Sequence, residues 1–267
     1  MKSFPQIMGI VNVTPDSFSD GGDTFIADQA IDHALRLIDA GADILDIGGE
    51  SSRPGAEPIK PEEELRRVIP VIEGIRRHNT SIPISIDTIK YIVAEEALRA
   101  GAAIINDISG LEYDVRLGQL AAQHSATLIL MHMKGTPKSM QQNPTYSNVI
   151  SEVMQNLRDK IRLAKSFGVK KIMADVGIGF GKTMEHNWAL LQQHHRFAEL
   201  QVPLVLGLSR KSFLGTTLGY ENPKDRDIAT ALLHTMLLDA KVDIIRVHNV
   251  QLLHDAKVLY QRLHTTP

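Results

Sequence analysis

Eight short apolar runs along the chain each end in a cluster of polar residues, and a helical pattern follows each run. The runs are enriched in β-branched residues and lack polar alternation, which predicts parallel strands covered by helices. They lie at about 6–13, 43–48, 83–87, 103–108, 127–132, 171–175, 203–208 and 243–248. Because parallel strands of such a fold end at one side, the polar clusters are expected to form one shared rim.

Helical spacing of apolar residues fills the intervals between the runs. The segment 61–78 begins with Pro61 at a first helical position, and the acidic residues 62–64 follow in the first turn, where negative charge is favourable. Further helices are predicted at 28–40, 149–167, 225–240 and about 250–264.

Eight strand–helix units in 267 residues predict a single (β/α)8 TIM barrel, with one domain spanning 1–267. A doubly wound open sheet of eight strands is the structural alternative. The longest loops, 14–27, 49–60 and 134–148, all follow strands. In a barrel they would lie over the C-terminal rim of the strands, which is where this fold places active sites.

Composition narrows the possible functions. The net charge of −2 provides no broad basic field for nucleic acid or an anionic membrane surface, so an anionic ligand would depend on a few local cations. The chain has no cysteine, which excludes disulfides, thiolate catalysis and cysteine-bound metal centres. The first apolar run is too short for a signal sequence or a membrane span, so a cytoplasmic protein is expected.

Oxygen-bearing side chains end four of the runs. Asn12 is a candidate ligand through its amide oxygen, and Asp87, Asn106-Asp107 and Asp175 end three later strands. A lone Asp at such a place is often only a helix cap, and Asp87 before Thr88 fits that description. Three neighbouring tips of this kind would suit a flat heterocycle with N–H edges, or else a Mg²⁺ ion.

Two glycine-containing segments are candidate ligand loops. In Gly48-Gly49-Glu50-Ser51-Ser52-Arg53-Pro54, the glycines would let backbone approach a ligand, and Arg53 is a candidate anion clamp. The segment 177–183 resembles a phosphate-binding loop, but only three residues separate Gly177 from Gly181 where four are required. It is interpreted as a flexible turn that exposes Phe180.

Cationic residues end the last two runs. Ser209-Arg210-Lys211-Ser212 and Arg246-Val247-His248 follow strands seven and eight, which carry the usual phosphate site of a TIM barrel. Their four cationic or potentially cationic side chains predict an anion site there. His132 has no metal-ligand spacing to other histidines, and the pair His194-His195 is expected on the solvent side of a helix.

Taken together, these motifs resemble the bacterial dihydropteroate synthases. The resemblance runs from residue 8 to about 250 through every rim tip in order. It rests on Asn12-Val13-Thr14-Pro15-Asp16-Ser17-Phe18, Gly48-Gly49-Glu50-Ser51-Ser52-Arg53-Pro54-Gly55, Asp87-Thr88, Asn106-Asp107, Gly177-Ile178-Gly179-Phe180-Gly181-Lys182, Ser209-Arg210-Lys211 and Arg246-Val247-His248.

The resemblance implies a transferase of folate biosynthesis that makes 7,8-dihydropteroate and diphosphate from 6-hydroxymethyl-7,8-dihydropterin diphosphate and p-aminobenzoate, with Mg²⁺. Asp175, Lys211, Arg246 and His248 would be the catalytic residues. The pterin pocket would be Asp87, Asn106, Asp175 and Lys211. Asn12 would bind the Mg²⁺–diphosphate, with Arg246 and His248 on the diphosphate itself. The p-aminobenzoate side would be Phe18, Ser52, Arg53, Pro54, Phe180, Lys211 and Ser212. The family also implies a homodimer through the last helices.

Three departures from the family pattern are Val176 for a usual Pro, Ser52 for a common Thr and Asn249 for a common Asp. None removes a candidate catalytic group, and Phe18, Pro54 and Phe180 are unaltered, so we expect near-normal binding of sulfonamide inhibitors.

Two other functions are alternatives. A pterin-binding methyltransferase of the corrinoid type would share the Asp, Asn and Asp pocket, but it has no diphosphate to hold. A non-catalytic pterin-binding barrel would bind without turnover.

Overall fold

Within residues 3–14 and 23–264, which this computed structural model describes, eight parallel strands close into a barrel in chain order. The strands are β1 (Gln6–Asn12), β2 (Ile44–Gly48), β3 (Ile84–Asp87), β4 (Ile104–Asp107), β5 (Thr127–Met131), β6 (Lys171–Asp175), β7 (Leu204–Leu206) and β8 (Ile244–Val247). The barrel closes where β1 pairs with β8. The predicted (β/α)8 class is therefore confirmed, and the open-sheet alternative is wrong.

Helices connect the strands and cover the outside of the barrel. They are α1 (Asp23–Asp39), α2 (Pro61–His78), α3 (Tyr91–Arg99), α4 (Arg116–Gln123), α5 (Val149–Ser166), α6 (Met184–Gln192), α7 (Ser212–Leu218), α8 (Asp227–Met236) and α9 (Val250–His264). The helix predicted at 61–78 is confirmed, with Pro61 and the acidic residues 62–64 in its first turn. None of the helices in the described ranges has the length and apolar character needed to cross a membrane.

The predicted continuous helix at 225–240 is wrong. A 3-10 helix (Pro223–Arg226) precedes α8, and another (Leu238–Ala240) follows it. The break after α8 arises because the Leu237 N–H bonds three residues back to the His234 carbonyl at 3.1 Å, which tightens the last turn. Lys241 then takes a left-handed φ of 56° and redirects the chain toward β8.

Two apolar layers hold these elements in place. Inside the barrel, side chains from six of the eight strands fill the lower half: Met8, Ile44, Ile104, Ile129, Val205 and Ile244. A larger cluster lies between the outside of the strands and the helices. The interior is thus a packed core below its upper rim. Polar side chains replace most of the apolar filling toward the C-terminal ends of the strands.

His194 corrects a second prediction. It begins a 3-10 helix (His194–Leu200) after α6, and it is fully buried against Phe197 rather than solvent-exposed. Its Nδ1 lies 3.2 Å from the Ala240 carbonyl oxygen, and burial lowers its pKa. His195 is exposed, as expected. The adjacent pair is split because one turn of a 3-10 helix places neighbouring side chains on different faces.

Candidate active site at the rim of the barrel

A cavity of about 590 Å³ opens at the C-terminal ends of the strands. It brings together the residues that the sequence singled out from seven separate strand tips and loops, except Phe18, which lies outside the described residues. The cavity lining includes Asn12, Ser52, Arg53, Pro54, Asp87, Asn106, Asp175, Phe180, Lys211, Ser212, Arg246 and His248. Barrel closure therefore places residues that are far apart in the chain around one space.

One end of this cavity is built from strands, and we call it the strand end: Asp87, Asn106, Asp175 and Arg246. Asp87 and Asn106 are paired neighbours in the register of β3 and β4. The Arg246 guanidinium donates through Nη2 to Asp87 Oδ2 at 2.8 Å. Because both partners stand on strands, their separation is fixed by the barrel itself.

Asp46, in the middle of β2, anchors the strand end from below and was missed by the sequence-based prediction. Its Oδ2 accepts from Arg246 Nε at 2.5 Å and from Asn106 Nδ2 at 3.1 Å. The second bond leaves the Asn106 carbonyl oxygen available as an acceptor. An Asp inside the apolar run 43–48 was the available signal, because a fully buried carboxylate needs a partner.

The two cavity carboxylates of the strand end have raised pKa values. Burial raises the pKa of Asp87 to about 7, against the opposing effect of Arg246, while the nearby carboxyl of Asp46 adds to the rise. Burial also raises the pKa of Asp175, whose Oδ1 accepts the Gly177 N–H at 2.7 Å. Such carboxylates are strong acceptors for an N–H edge that lies against them.

A histidine and a serine at the tips of β8 and β7 have a defined hydrogen-bonding arrangement. The His248 backbone N–H donates to Ser209 Oγ at 3.1 Å, and the same Oγ lies within hydrogen-bond distance of His248 Nδ1, at 2.8 Å. Burial, together with the nearby charges of Arg210 and Arg246, lowers the pKa of His248 well below its usual value and keeps it neutral.

The other end of the cavity is carried by loops and a helix start, and we call it the loop end: Ser52, Arg53, Pro54, Phe180 and Ser212. Lys211 connects the two ends. Its Nζ lies 4.0 Å from the centre of the Phe180 ring, a cation–π contact. Burial lowers the pKa of Lys211 to about 8, although the charge of Asp175 opposes this shift.

Two sequence-based interpretations of this region are wrong. Phe180 is not exposed by a flexible turn: it is 9% exposed and packs with Met131, Met133 and Met140. Gly49 does not open the backbone to a ligand, because a side chain there would collide with Val68 and Glu64 of α2. Its glycine is required for close packing of the loop against that helix.

The predicted group of four cations is also corrected. Arg210 has a left-handed φ of 60° and forms a bidentate pair with Asp227, at 2.7 and 2.8 Å. Arg246 is already paired with carboxylates, and His248 is neutral. Charge at this place is therefore largely compensated within the protein.

Asp107, which the sequence groups with Asn106, serves the backbone instead of the cavity. Its carboxylate accepts the N–H groups of Ser109 and Leu111 at 2.8 and 2.6 Å. The alternation of side chains along β4 explains this, because consecutive residues point to opposite faces of a strand.

Buried ionic contacts secure the loop 49–60 at its base. Lys90 Nζ lies 2.7 Å from Glu50 Oε2 and 2.5 Å from Glu64 Oε2. Glu50 Oε2 also accepts the Ile59 N–H at 2.8 Å, which brings the two ends of the loop together. Farther out, the Gly55 N–H donates to the Pro137 carbonyl at 3.0 Å and joins this loop to the one after β5.

Comparison with known proteins decides the family. The family described as pterin binding enzyme matches residues 8–248. A dihydropteroate synthase from a Synechocystis strain is 45% identical over 247 residues, which cover 92% of this chain and 85% of that protein. The chain belongs to the dihydropteroate synthase family. The resemblance seen in the rim motifs is therefore confirmed, and the chain is a transferase of the dihydropteroate synthase type.

Solved structures of dihydropteroate synthases have the same fold over nearly the whole chain. The enzyme of Xanthomonas albilineans with 4-aminobenzoic acid is 41% identical, with a TM-score of 0.92 and coverage of 99% of this chain and 94% of that one. The Yersinia pestis enzyme in a sulfonamide drug complex is 38% identical, with a TM-score of 0.91 and coverage of 98% and 95%. Both are named for this activity, which argues against the methyltransferase alternative.

Proposed function

We propose that the cavity joins 6-hydroxymethyl-7,8-dihydropterin diphosphate to p-aminobenzoate, with the pterin at the strand end and p-aminobenzoate at the loop end. The observation that carries this assignment is the position of Lys211. It contacts Phe180 of the loop end at 4.0 Å and carries its charge close to Asp175 of the strand end. One residue would thus serve both substrates at the point where they react.

The strand end has the acceptors that a pterin requires. A reduced pterin is a flat heterocycle whose N–H groups need carboxylate or amide oxygens in the same plane. Asp87 and Asp175 supply carboxylates, and Asn106 supplies a carbonyl oxygen because its amide nitrogen is occupied by Asp46. Their burial would strengthen each hydrogen bond to the ring.

The diphosphate would lie near the tips of β1 and β8. His248, whose Nδ1 contacts Ser209 Oγ at 2.8 Å, would contact the diphosphate through Nε2. Arg246 is held by Asp46 and Asp87 through Nε and Nη2, and its Nη1 makes no hydrogen bond within the described residues. Negative charge from the diphosphate would raise the pKa of His248 and so strengthen the contact.

The residues of the site fit a Mg²⁺ ion that arrives with the diphosphate. No group of three His, Asp or Glu side chains in residues 3–14 and 23–264 forms a metal cage. Mg²⁺ commonly keeps several waters and binds substrate phosphates with one or two protein ligands. Asn12, which lines the cavity and whose amide makes no hydrogen bond to described residues, would supply one oxygen. When bound, the ion would neutralise charge on the leaving diphosphate.

In the proposed reaction, the C–O bond to the diphosphate breaks and the electron pair leaves with the oxygen. The methylene carbon becomes cationic, and the Asp175 carboxylate stabilises the positive charge that spreads into the ring. The nitrogen lone pair of p-aminobenzoate then forms the new C–N bond, and the nitrogen loses a proton. An arylamine is a competent nucleophile, so no strong general base is required.

The loop end would bind p-aminobenzoate and the sulfonamides that compete with it. The dihydropteroate synthases of Xanthomonas albilineans and Yersinia pestis contain 4-aminobenzoic acid and a sulfonamide drug, respectively. In this chain, Phe180 and Pro54 offer apolar contact, while Arg53 and Ser212 offer partners for a carboxylate at the open side of the cavity.

The decisive experiment is diphosphate release by the purified protein with the pterin diphosphate, p-aminobenzoate and Mg²⁺. Release that requires both organic substrates would support the proposal. Tight pterin binding without release would favour the non-catalytic barrel instead.

We also propose a homodimer through α8 and α9. An exposed apolar stripe on α8 consists of Ile228, Leu232 and Met236, which are 66%, 54% and 76% exposed. Leu259 and Leu263, 65% and 82% exposed, extend it on the adjacent α9. A patch of this kind is typical of a subunit interface. Sedimentation equilibrium should show a dimer for the wild-type protein and a monomer for Leu232→Glu. A wild-type protein that is a monomer would contradict the proposal.

A cytoplasmic location stays a prediction.

A further inference from the structure

The loop from Val176 to Thr183, which carries Phe180, lies directly on the backbone that follows β5. Three alternate glycines, Gly177, Gly179 and Gly181, have φ values of 70°, 81° and 63°. A side chain at Gly177 would collide with the His132 carbonyl, and one at Gly181 would collide with the Lys134 carbonyl. The loop is therefore shaped for close contact with the residues 132–134, which have no role in the chemistry proposed above.

Lys182 is buried inside this contact and bonds to both sides of it. It is 2% exposed, and it does not line the cavity. Its Nζ donates to the carbonyls of Gly177 at 2.8 Å and Phe180 at 3.0 Å. Across the interface, Nζ lies 2.9 Å from His132 Nδ1 and 3.3 Å from the His132 carbonyl oxygen.

All four acceptors around Lys182 are neutral, and burial lowers the pKa of both side chains, that of His132 to about 2. His132 is thus a neutral ring with Nδ1 as an acceptor. The two carbonyls of its own loop that Lys182 bonds belong to Phe180, which lines the cavity, and to Gly177, which contacts Asp175 of the strand end. The Gly177 N–H bonds to Asp175, and Phe180 is the aromatic face beneath Lys211.

We propose that Lys182 and His132 form a positioning pair that holds Phe180 at the loop end and thereby sets the affinity for p-aminobenzoate. This inference rests on the proposed function, in which Phe180 contacts p-aminobenzoate. Other side chains bond the two residues that flank Phe180: Gln141 Nε2 contacts the Gly179 carbonyl at 2.7 Å, and the Tyr146 hydroxyl contacts the Gly181 carbonyl at 2.7 Å. Only Lys182, among the described residues, bonds the Phe180 carbonyl itself through a side chain.

A second buried lysine provides a matched control. Lys160 of α5 is 5% exposed, and its Nζ donates to the carbonyls of Ser109 and Met131 at 2.9 and 3.0 Å. It also pairs with Glu112 at 3.0 Å. It is therefore another buried lysine bonded to backbone carbonyls under the neighbouring part of the rim, with an added charged partner, and none of its bonds reaches the loop 176–183.

The test compares Lys182→Met with Lys160→Met. For Lys182→Met we expect KM for p-aminobenzoate to rise about tenfold or more, while kcat falls by less than about threefold, because ground-state positioning is lost without loss of the charge-stabilising groups. The Kd for the pterin diphosphate should change by less than about threefold, since Asp87, Asn106 and Asp175 stand on strands. Lys160→Met should lose thermal stability without this selective rise in KM.

His132 tests the pair from the other side. His132→Asn keeps an acceptor and should retain most of the affinity for p-aminobenzoate, whereas His132→Leu removes the acceptor and should reproduce the effect of Lys182→Met. These variants also apply if Lys182→Met fails to fold. An equal rise in KM in Lys160→Met, an equal loss of pterin affinity, or an unchanged KM in both Lys182→Met and His132→Leu would overturn the proposal.

Equilibrium binding of a sulfonamide, measured by calorimetry with the pterin and diphosphate present, separates this inference from the proposed function. Absence of turnover in the wild-type protein would refute the proposed function. The positioning role would still predict weaker sulfonamide binding in Lys182→Met than in Lys160→Met, and equal affinities would refute it.

Discussion

The strand end and the loop end of the cavity are held in place by different means. Asp87, Asn106 and Arg246 occupy fixed places in the barrel register, and Asp46 cross-links them from within. Apart from Ser212, which begins α7, the loop end stands on segments that belong to no strand or helix. There, buried ionic or polar contacts replace the register: Lys90 with Glu50 and Glu64, and Lys182 with His132.

This difference predicts which kinetic parameter a substitution at each end of the cavity should change. A change at the strand end removes a charge from a site that stays in place, so the chemical step should suffer. A change beneath the loop end leaves the charges intact and displaces a wall, so binding of the second substrate should suffer first.

The largest effect is expected for Asp175→Asn. The variant keeps the shape of the side chain and removes the charge that would stabilise the cationic pterin, so kcat should fall by about 10²- to 10³-fold. Steady-state kinetics with both substrates measures this loss. Asp107→Asn is the control at the tip of β4, because that carboxylate bonds to the backbone of Ser109 and Leu111 and should affect stability instead. Near-normal kcat in Asp175→Asn would refute the assigned charge role.

Lys211→Ala should have the next largest effect and should affect both ends. It removes the cation over Phe180 and the charge near Asp175, so kcat/KM should fall by well over tenfold for each substrate. Kinetics with each substrate varied in turn provides the measurement. If kcat/KM remained intact for either substrate, Lys211 would belong to one end only.

The strand end should also impose a pH dependence. Because the pKa of Asp87 is about 7, its carboxylate becomes protonated as pH falls through 7. The protonated carboxyl has lost its negative charge and is a weaker acceptor for a pterin N–H. Lys211, with a pKa of about 8, loses its charge as pH rises above that value. We expect kcat/KM for the pterin diphosphate to peak between these values and to fall about tenfold per pH unit on either side.

The two limbs of that profile can be assigned separately. Lys211→Arg should move the basic limb to higher pH, because a guanidinium keeps its charge there, while the acid limb stays. Asp87→Asn should remove the acid limb at lower overall activity. A profile without an acid limb in the wild-type protein would show that Asp87 is already ionised and would contradict the role of its burial.

The sequence carried more information about the strand end than about the loop end. Apolar runs mark strand ends, and a closed parallel barrel brings those ends together, so the apolar pattern alone places Asp87, Asn106 and Asp175 at one rim. Asp46 was overlooked because the residues on both sides of it are apolar, so the sequence does not show that its side chain points into the barrel. Arg210 was misassigned because the direction of its side chain depends on its left-handed backbone, which is a property of the fold.

The contacts that hold the loop end were harder to predict from the sequence for a further reason. The environment of Lys182 consists of the His132 ring nitrogen and of backbone carbonyls from two segments about 50 positions apart, and the direction of a carbonyl cannot be read from residue types. His132 had therefore no role that could be assigned from its neighbours in the chain. The glycines 177, 179 and 181 were a partial signal, since alternate glycines indicate a backbone that approaches something closely.

The smallest effect is expected where a contact of the loop end is exposed. Glu57 of the loop 49–60 pairs with Lys138 of the loop after β5 at 2.8 Å, but the two side chains are 70% and 63% exposed. Exposed ion pairs contribute about 0–1 kcal/mol, so Glu57→Gln should change KM for p-aminobenzoate by less than about twofold. The same kinetic assay as for Lys182→Met gives a direct comparison. A tenfold rise in Glu57→Gln would mean that surface pairing, and not the buried contacts, orders the loop end.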